Sequence, residues 1–286
     1  MSGTLYLIGT PIGNLEDITL RQLRMLEEVD FICAEDTRVT LKLLNRYEIK
    51  KQLVSFHEHS SHADAMRIIE RLQNGENCGI VTDAGMPCIS DPGEVLVKHC
   101  ISDPGEVLVK LCAENSIDVK VVPGPSAVVS AVALAGLSGG RFTFEGFLPV
   151  PKKERSERLE MLKGETADMV FYEAPHKLKN TLSDLKSAFG ERKIALCREL
   201  TKVHEEVIRT TIGGAIDYYS ANEPKGEYVL VVGGADNSGG EEITLEQAVE
   251  QVKRLIEMGE RPVDACKAVA KETPYRKGEL YSAVCG

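Results

Sequence analysis

Several short segments rich in Gly, Pro, Asp, Ser and Thr stand where the pattern predicts a strand to end. Gly9-Thr10-Pro11-Ile12-Gly13-Asn14-Leu15 leaves a strand over 4–8, and Glu35-Asp36-Thr37-Arg38 leaves one over 30–34. Thr82-Asp83-Ala84-Gly85 and Ser90-Asp91-Pro92-Gly93 follow a strand over 79–82, and Pro123-Gly124-Pro125-Ser126-Ala127 follows one over 119–122. Such runs offer backbone amides, carbonyls and carboxylates at the end of a buried sheet, which is where open α/β folds hold their ligands. The two glycines of the first turn admit close backbone approach. That turn lacks both Gly-x-Gly-x-x-Gly and the Lys-Ser/Thr ending of a nucleotide P-loop, so alone it names no cofactor. Glu35, Asp36, Thr37 and Arg38 join two acids, a hydroxyl and a guanidinium, a set able to bind a polar substrate and move a proton. The competing reading is that Asp36 caps the next helix.

Three further strand ends in the second half carry charge: Lys152-Lys153-Glu154-Arg155-Ser156-Glu157-Arg158, Tyr172-Glu173-Ala174-Pro175-His176-Lys177, and Arg198-Glu199-Leu200-Thr201-Lys202. The first is equally the solvated start of a helix. The other two, with acid and base side by side and a proline in one, are poor helix material. His57-Glu58-His59-Ser60-Ser61-His62 gathers three histidines, but without the His-Glu-x-x-His spacing of a zinc helix. It reads as a substrate loop or a helix cap, and no metal is expected. None of the eight cysteines forms a Cys-x-x-Cys pair, so buried free thiols are expected.

Residues 88–98 recur unchanged at 100–110, a period of twelve seen nowhere else in the chain. Two copies are too few for a solenoid, so this is a tandem duplication. The first copy adjoins the strand end, which assigns Ser90, Asp91, Pro92 and Gly93 to the site; the reverse assignment, to the second copy, stays open. The extra residues are expected as an extended helix or a bulge between Glu94 and Gly105.

Strand, turn and helix alternate from the start, which predicts an α/β fold. Helices are expected over 17–28, 41–46, 63–72, 126–137, 155–162 and 178–189. Further strands are expected over 53–56, 142–145, 169–172, 194–198, 207–211 and 228–232. The Pro-Gly-Pro elbow divides two α/β domains, 1–122 and 123–235, and a Ser-Gly-Gly spacer precedes a small helical tail over 241–286. The chain is 43% hydrophobic and 27% charged, has no apolar run long enough to span a bilayer, and opens directly on a strand, so a cytoplasmic protein is expected. A net charge of -10 argues against broad adhesion to nucleic acid but leaves room for a local basic patch.

Taken in order, the seven motifs from Gly9 to Lys202 resemble the tetrapyrrole methylase superfamily, in its bacterial branch that methylates a cytidine ribose 2′-oxygen in the decoding region of 16S ribosomal RNA. The likeness spans residues 4–234, and the tail resembles that branch more loosely. It implies two α/β domains with S-adenosylmethionine in the cleft between them, and a homodimer acting on the small ribosomal subunit. It further implies cofactor contacts from Thr10, Pro11, Gly13 and Asn14, from Asp83, Ala84 and Gly85, from Ser90, Asp91, Pro92 and Gly93, and from Pro123, Gly124, Pro125, Ser126 and Ala127. The branch has one Ser-Asp-Pro-Gly segment, so the duplication departs from it. Candidate proton acceptors are Asp36, Glu173 and Glu199, with Glu35 in the favoured cluster and Arg38 or Lys202 gripping phosphate or offsetting charge. Lys152, Lys153, Arg155, Arg158, His176 and Lys177 are expected to hold RNA, with Lys267, Lys271, Arg276 and Lys277 as a second patch. The alternatives are a methyltransferase acting on a tetrapyrrole precursor and a ribosome-binding factor without catalysis.

Overall fold

The computed structural model describes residues 2–57, 59–83, 85–89, 104–137, 140–235 and 244–285, and only the backbone of Pro104, Lys271 and Glu272. Two compact units result, Met1–Ala235 and Asp236–Gly286. In the first, β1 (Thr4–Ile8), β2 (Phe31–Ala34), β3 (Gln52–Ser55), β4 (Cys78–Val81) and β5 (Asp118–Val122) form a parallel sheet in the order β3-β2-β4-β1-β5. Every residue of β2 and β4 is buried, as expected of parallel strands covered on both faces. Helices α1 (Leu20–Glu28) and α2 (Thr37–Arg46) pack Leu26, Leu43 and Leu44 on one face. Helices α3 (His62–Gln73) and α4 (Pro104–Glu114) pack Ile69, Leu72, Leu108 and Cys112 on the other. The neighbours β1 and β4 therefore send their connections to opposite faces. That makes their C-terminal ends the topological switch point, where open α/β sheets hold ligands in a crevice.

The elbow after β5 carries the chain to α5 (Ala127–Ala135), whose Val128, Ala131 and Ala135 lie against Val170, Cys197 and Val231 of a second sheet. That sheet comprises β6 (Phe142–Phe147), β7 (Asp168–Glu173), β8 (Lys193–Arg198), β9 (Glu206–Thr211) and β10 (Tyr228–Val232), in the order β6-β7-β10-β8-β9. Only β6 and β7 run parallel; the other pairs are antiparallel. The remaining helices of this unit are α6 (Lys152–Leu162), α7 (Pro175–Phe189) and α8 (Ile212–Ala221). No sequence signal predicts α8, because Gly213 and Gly214 fall in its first turn and glycine is a poor helix former. It is capped by Thr211, whose hydroxyl accepts from Gly214 N–H at 3.1 Å. The expectation that Glu173 to Lys177 resists helix formation is corrected: Pro175 is the first residue of α7, a position where its missing N–H costs nothing.

The twelve-residue repeat is only partly described. Ala84 and Ser90, Asp91, Pro92 and Gly93 lie outside the described residues, as does the stretch expected to absorb the insertion, up to 103. The second copy is the one that supplies α4, and its Leu108 is fully buried.

The second unit is built from α9 (Leu245–Glu257), α10 (Pro262–Glu272) and α11 (Lys277–Cys285) around Ala248, Val252, Cys266 and Leu280. Thr244 and Gln247 form a capping box at its entry. Lys267, Arg276 and Lys277 are exposed there. Among the described residues, no helix is long and apolar enough to cross a membrane.

Leu108→Ala removes a fully buried side chain from the core under β4, and urea unfolding is expected to show a loss of about 2–5 kcal/mol. Its neighbour Val107 is 37% exposed, and Val107→Ala is expected to change stability by less than about 1 kcal/mol.

Candidate active site

Three strand-end turns of the first sheet are tied together. Gly9 N–H donates to Val122 O at 3.0 Å, and Thr10 N–H donates to Gly85 O at 2.9 Å. The Thr10 hydroxyl, itself buried, donates to Thr82 O at 2.8 Å. Gln22 of α1 is fully buried and reaches back: its Nε2 donates to Gly9 O at 2.6 Å while its Oε1 accepts from Thr19 N–H at 2.5 Å. Space is as tight as the bonding. A Cβ on Gly9 would lie 2.7 Å from Gly124 Cα, and one on Gly85, where φ is +98°, would lie 2.7 Å from Pro125 O. The structure thus brings Thr10, Gly85, Gly124 and Pro125 to one place. Asn14 caps the short turn Leu15–Asp17, its Oδ1 accepting from Glu16 N–H at 3.1 Å. Ser126 stands before α5 without a side-chain capping bond.

The turn after β1 also meets the second sheet. Ile12 packs in the cluster that holds Val128 and Leu200. A Cβ on Gly13 would lie 2.7 Å from Lys202 Cγ, 2.7 Å from Thr201 Oγ1 and 2.9 Å from Leu200 O. The facing loop is strained, with Glu199 at φ 50° and Thr201 at φ 65°. It is held by charge: Lys202 Nζ donates to Glu199 Oε1 at 2.9 Å and to Glu227 Oε2 at 2.8 Å, and Glu227 N–H donates to Glu199 Oε1 at 3.0 Å. Burial alone would raise the Glu199 pKa, but the Glu227 backbone and the Lys202 ammonium outweigh it and leave the carboxyl below its usual range. Burial would likewise lower Lys202, but Glu227 and Glu199 hold it above its usual value. The lowered acid keeps its contribution until pH falls through its folded pKa, and the raised lysine until pH rises through its own, so the cluster is ionised across the neutral range. Thr201 Oγ1 is buried and has no hydrogen-bond partner among the described residues.

At the end of β2, Asp36 caps α2 and grips Arg38. Arg38 Nε donates to Oδ1 and Oδ2 at 3.0 and 3.1 Å, Nη2 to Oδ2 at 2.5 Å, and its backbone N–H to Oδ1 at 2.8 Å. The Arg38 side chain, then its backbone, holds the Asp36 carboxyl down at about 2. Asp83, from the neighbouring β4 end, adds its charge to stabilise the Arg38 cation. Glu35 is half-buried beside them. Both readings of this motif therefore apply: it caps a helix, and it places a guanidinium at the crevice.

The basic residues predicted to hold RNA divide in two. Arg155 is absorbed into the fold, its Nε donating to Asp184 Oδ2 at 2.6 Å and its Nη2 to Thr181 Oγ1 at 2.7 Å. Thr181 in turn donates to the buried Glu173 Oε2, and Glu173 Oε1 accepts from Ala174 N–H at 2.9 Å. Arg158 pairs with Glu145. Lys152 and Lys153 are exposed at the start of α6, as is His176 at the start of α7, where Lys177 is half-buried. His57 and His59 lie in a loop, with His59 N–H donating to His57 Nδ1 at 3.2 Å, and His62 opens α3 behind a Ser61–Asp64 capping box. Sequence reasoning missed Gln22 and Glu227, and it gave Thr201, inside a motif it singled out, no role of its own. Thr19-x-x-Gln22 has capping-box spacing, but nothing in it signals the reach to Gly9.

Residues 4–216 match the tetrapyrrole (corrin/porphyrin) methylases. The chain is 42% identical over 283 residues to "Ribosomal RNA small subunit methyltransferase I" of Halalkalibacterium halodurans, covering 98% of this chain and 94% of that one. It is 46% identical over 234 residues to the protein of the same name in Thermotoga maritima, covering 82% of this chain and all of the relative. Among solved structures, uroporphyrin-III-C-methyltransferase of Thermus thermophilus aligns with a TM-score of 0.53 at 22% identity, over 81% of this chain and 94% of that one, a likeness of fold.

Gly13→Ala places its Cβ against a backbone carbonyl that cannot swing aside, and is expected to cost about 1–3 kcal/mol in urea unfolding. Gly164, with open space around it, serves as the control: Gly164→Ala is expected to leave stability within about 1 kcal/mol. Asp36→Asn frees Arg38 and is expected to lower turnover. Because the Asp36 carboxyl titrates at about 2, its removal leaves the shape of the neutral pH–rate profile unchanged; a lost inflection near neutrality would contradict this.

Proposed function

The chain belongs to the tetrapyrrole (corrin/porphyrin) methylase family, and on that premise we propose that it methylates the ribose 2′-hydroxyl of a cytidine in 16S ribosomal RNA, using S-adenosylmethionine. Relatives named for the small-subunit ribosomal RNA match it over almost its whole length at 42% identity, whereas its likeness to a porphyrin enzyme stays at 22%. The observation that carries the reading is the contact of Gly13 with Leu200, Thr201 and Lys202. It joins a set of polar strand-end turns to a charged loop.

The residues present fit the donor. Its amino-acid group, ribose and adenine call for amides, carbonyls and a carboxylate at one place, and the 10–14 turn, Asp83, Gly85 and the 123–127 elbow supply them. The orphaned Thr201 hydroxyl adds a buried polar group on the opposite wall. Ala84, Ser90, Asp91, Pro92 and Gly93 complete this assignment from the sequence. When bound, the sulfonium supplies an activated methyl carbon.

The protein's work is then alignment and proton removal. Glu35 accepts the proton of the ribose 2′-hydroxyl. Asp36, held at about 2, is too weak a base for that and instead aims Arg38 at a flanking phosphate. Glu227 and Glu199 hold the Lys202 ammonium in place for the same purpose, and Glu173 fixes the start of α7 rather than taking a proton. Lys152, Lys153, His176 and Lys177 hold the RNA backbone at the starts of α6 and α7. The chain works in the cytoplasm, where ribosomal subunits are, and pairs as a homodimer through the outer edge of β5, where Val119 and Val121 are exposed and β1 is the only strand neighbour among the described residues.

Small subunits from cells lacking the endogenous activity are expected to gain a single ribose methyl on one 16S cytidine. No heat on titrating S-adenosylmethionine, or methyl transfer only to small tetrapyrroles, would refute the reading. Reversing the charge of Lys152 and Lys153 is expected to lower the slope of log affinity against log salt by about 2, and an unchanged slope acquits them. Sedimentation is expected at twice the monomer mass; a monomer at assay concentration would dismiss the β5 interface.

A further inference from the structure

A second polar hollow lies outside the crevice. It encloses 280 Å³ where β8 ends and α8 gives way to the loop before β10, and Arg198, Glu206, Tyr218, Asn222 and Lys225 line it. Side chains alternate along β8. Ala195 and Cys197 face α5, whereas Ile194 and Leu196 face the core shared with Ile212 and Ala215 of α8. Arg198 continues the second series, so it points away from the α5 face against which Ile12 packs. The next residue, Glu199, begins the strained loop that meets Gly13. The hollow and the crevice are therefore successive features of one strand end on opposite faces of the sheet.

The lining of the hollow combines two tyrosines, an amide, two cations and two carboxylates. Tyr218 is 40% exposed and stands edge-on to Tyr219, with ring centroids 4.9 Å apart. Tyr219 is buried and braced on Tyr228, their hydroxyls 3.3 Å apart. The open Tyr218 face thus sits on a rigid aromatic base. Asn222 donates through Nδ2 to Tyr218 O at 2.8 Å, which leaves its Oδ1 to accept from an exocyclic amine. Within the lining Arg198 Nε lies 3.2 Å from Glu206 Oε2, while Glu223, also of the lining, pairs at 2.7 Å with Lys179 outside it. The first contact lacks hydrogen-bond alignment, so Arg198 Nε makes no hydrogen bond among the described residues. Lys225, exposed, has no ion pair among the described residues, so within a lining whose two cations and two carboxylates balance it is the cation left to meet a phosphate.

We propose that this hollow takes a nucleotide of the RNA strand that flanks the methylated one, its base stacked on Tyr218 and its phosphate on Lys225. This rests on the reading of the chain as an RNA methyltransferase. Aromatic faces interleaved with cations grip single strands whatever their sequence, and a flanking nucleotide seated here would hold the strand as it passes the Glu199–Lys202 loop.

The test uses the full chain with a fluorescein-labelled single-stranded RNA, read by anisotropy, beside calorimetry with S-adenosylmethionine. Tyr218→Ala is expected to weaken RNA binding about tenfold, and Tyr218→Phe, which keeps the ring, by less than about twofold. Lys225→Ala is expected to weaken it and to lower the salt slope by about 1. Affinity for S-adenosylmethionine and melting temperature stay those of the wild type in all three. Equal RNA affinity in wild type and Tyr218→Ala overturns the proposal. So do equal losses in the Phe and Ala variants, or binding of free cytidine monophosphate here with RNA affinity unchanged by the variants. A wild type that binds RNA through the hollow yet transfers no methyl group contradicts the proposed reaction and not the hollow.

Discussion

The structure of the first unit depends on backbone meeting backbone where no side chain fits. Gly9 and Gly124 approach so closely that either Cβ would overlap the other residue's Cα, and Gly85 sits as tightly on Pro125. These contacts fix the ends of β1, β4 and β5 relative to one another, and the buried Gln22 amide locks the first of them from behind. Gly13 extends the same device to the loop after β8. Polar backbone groups at these turns are held in place before any ligand arrives, which lowers the ordering cost of binding.

Charge is arranged to complement that rigidity. Around the crevice, each cation is gripped by a carboxylate: Arg38 by Asp36, and Lys202 by Glu199 and Glu227. Such pairs contribute little to stability on an exposed surface, but they set the direction in which a long side chain points. Farther out, Arg155 and Arg158 are spent on anchoring α6, while Lys152 and Lys153 extend into solvent. A chain with a net charge of -10 can thereby present local positive ground to a polyanion.

Much of this was legible in the sequence, for identifiable reasons. The parallel sheet follows from short apolar runs such as Phe31–Ala34 ending in polar turns, and the turns at 9–14, 82–85 and 123–127 announced themselves by glycine and proline. The antiparallel pairing of the second sheet was not legible, because strand runs of that length look alike whichever way they pair. Helix α8 was hidden by its two glycines, which tertiary packing of Ile212, Ala215 and Tyr219 overrides. Arg155 looked like an RNA contact because sequence shows a cation but not the Asp184 twenty-nine residues away that claims it. Gln22 and Glu227 act through long-range contacts that no local pattern encodes.

The central claim is that the three tied turns and the loop facing Gly13 form one binding crevice. Hydrogen–deuterium exchange with and without S-adenosylmethionine tests it most directly. The account predicts slowed exchange at the amides of 10–14, 85–86, 124–127 and 199–202, with 218–225 unchanged. Protection confined to the second sheet's far face, or none at these turns under saturating donor, would contradict it.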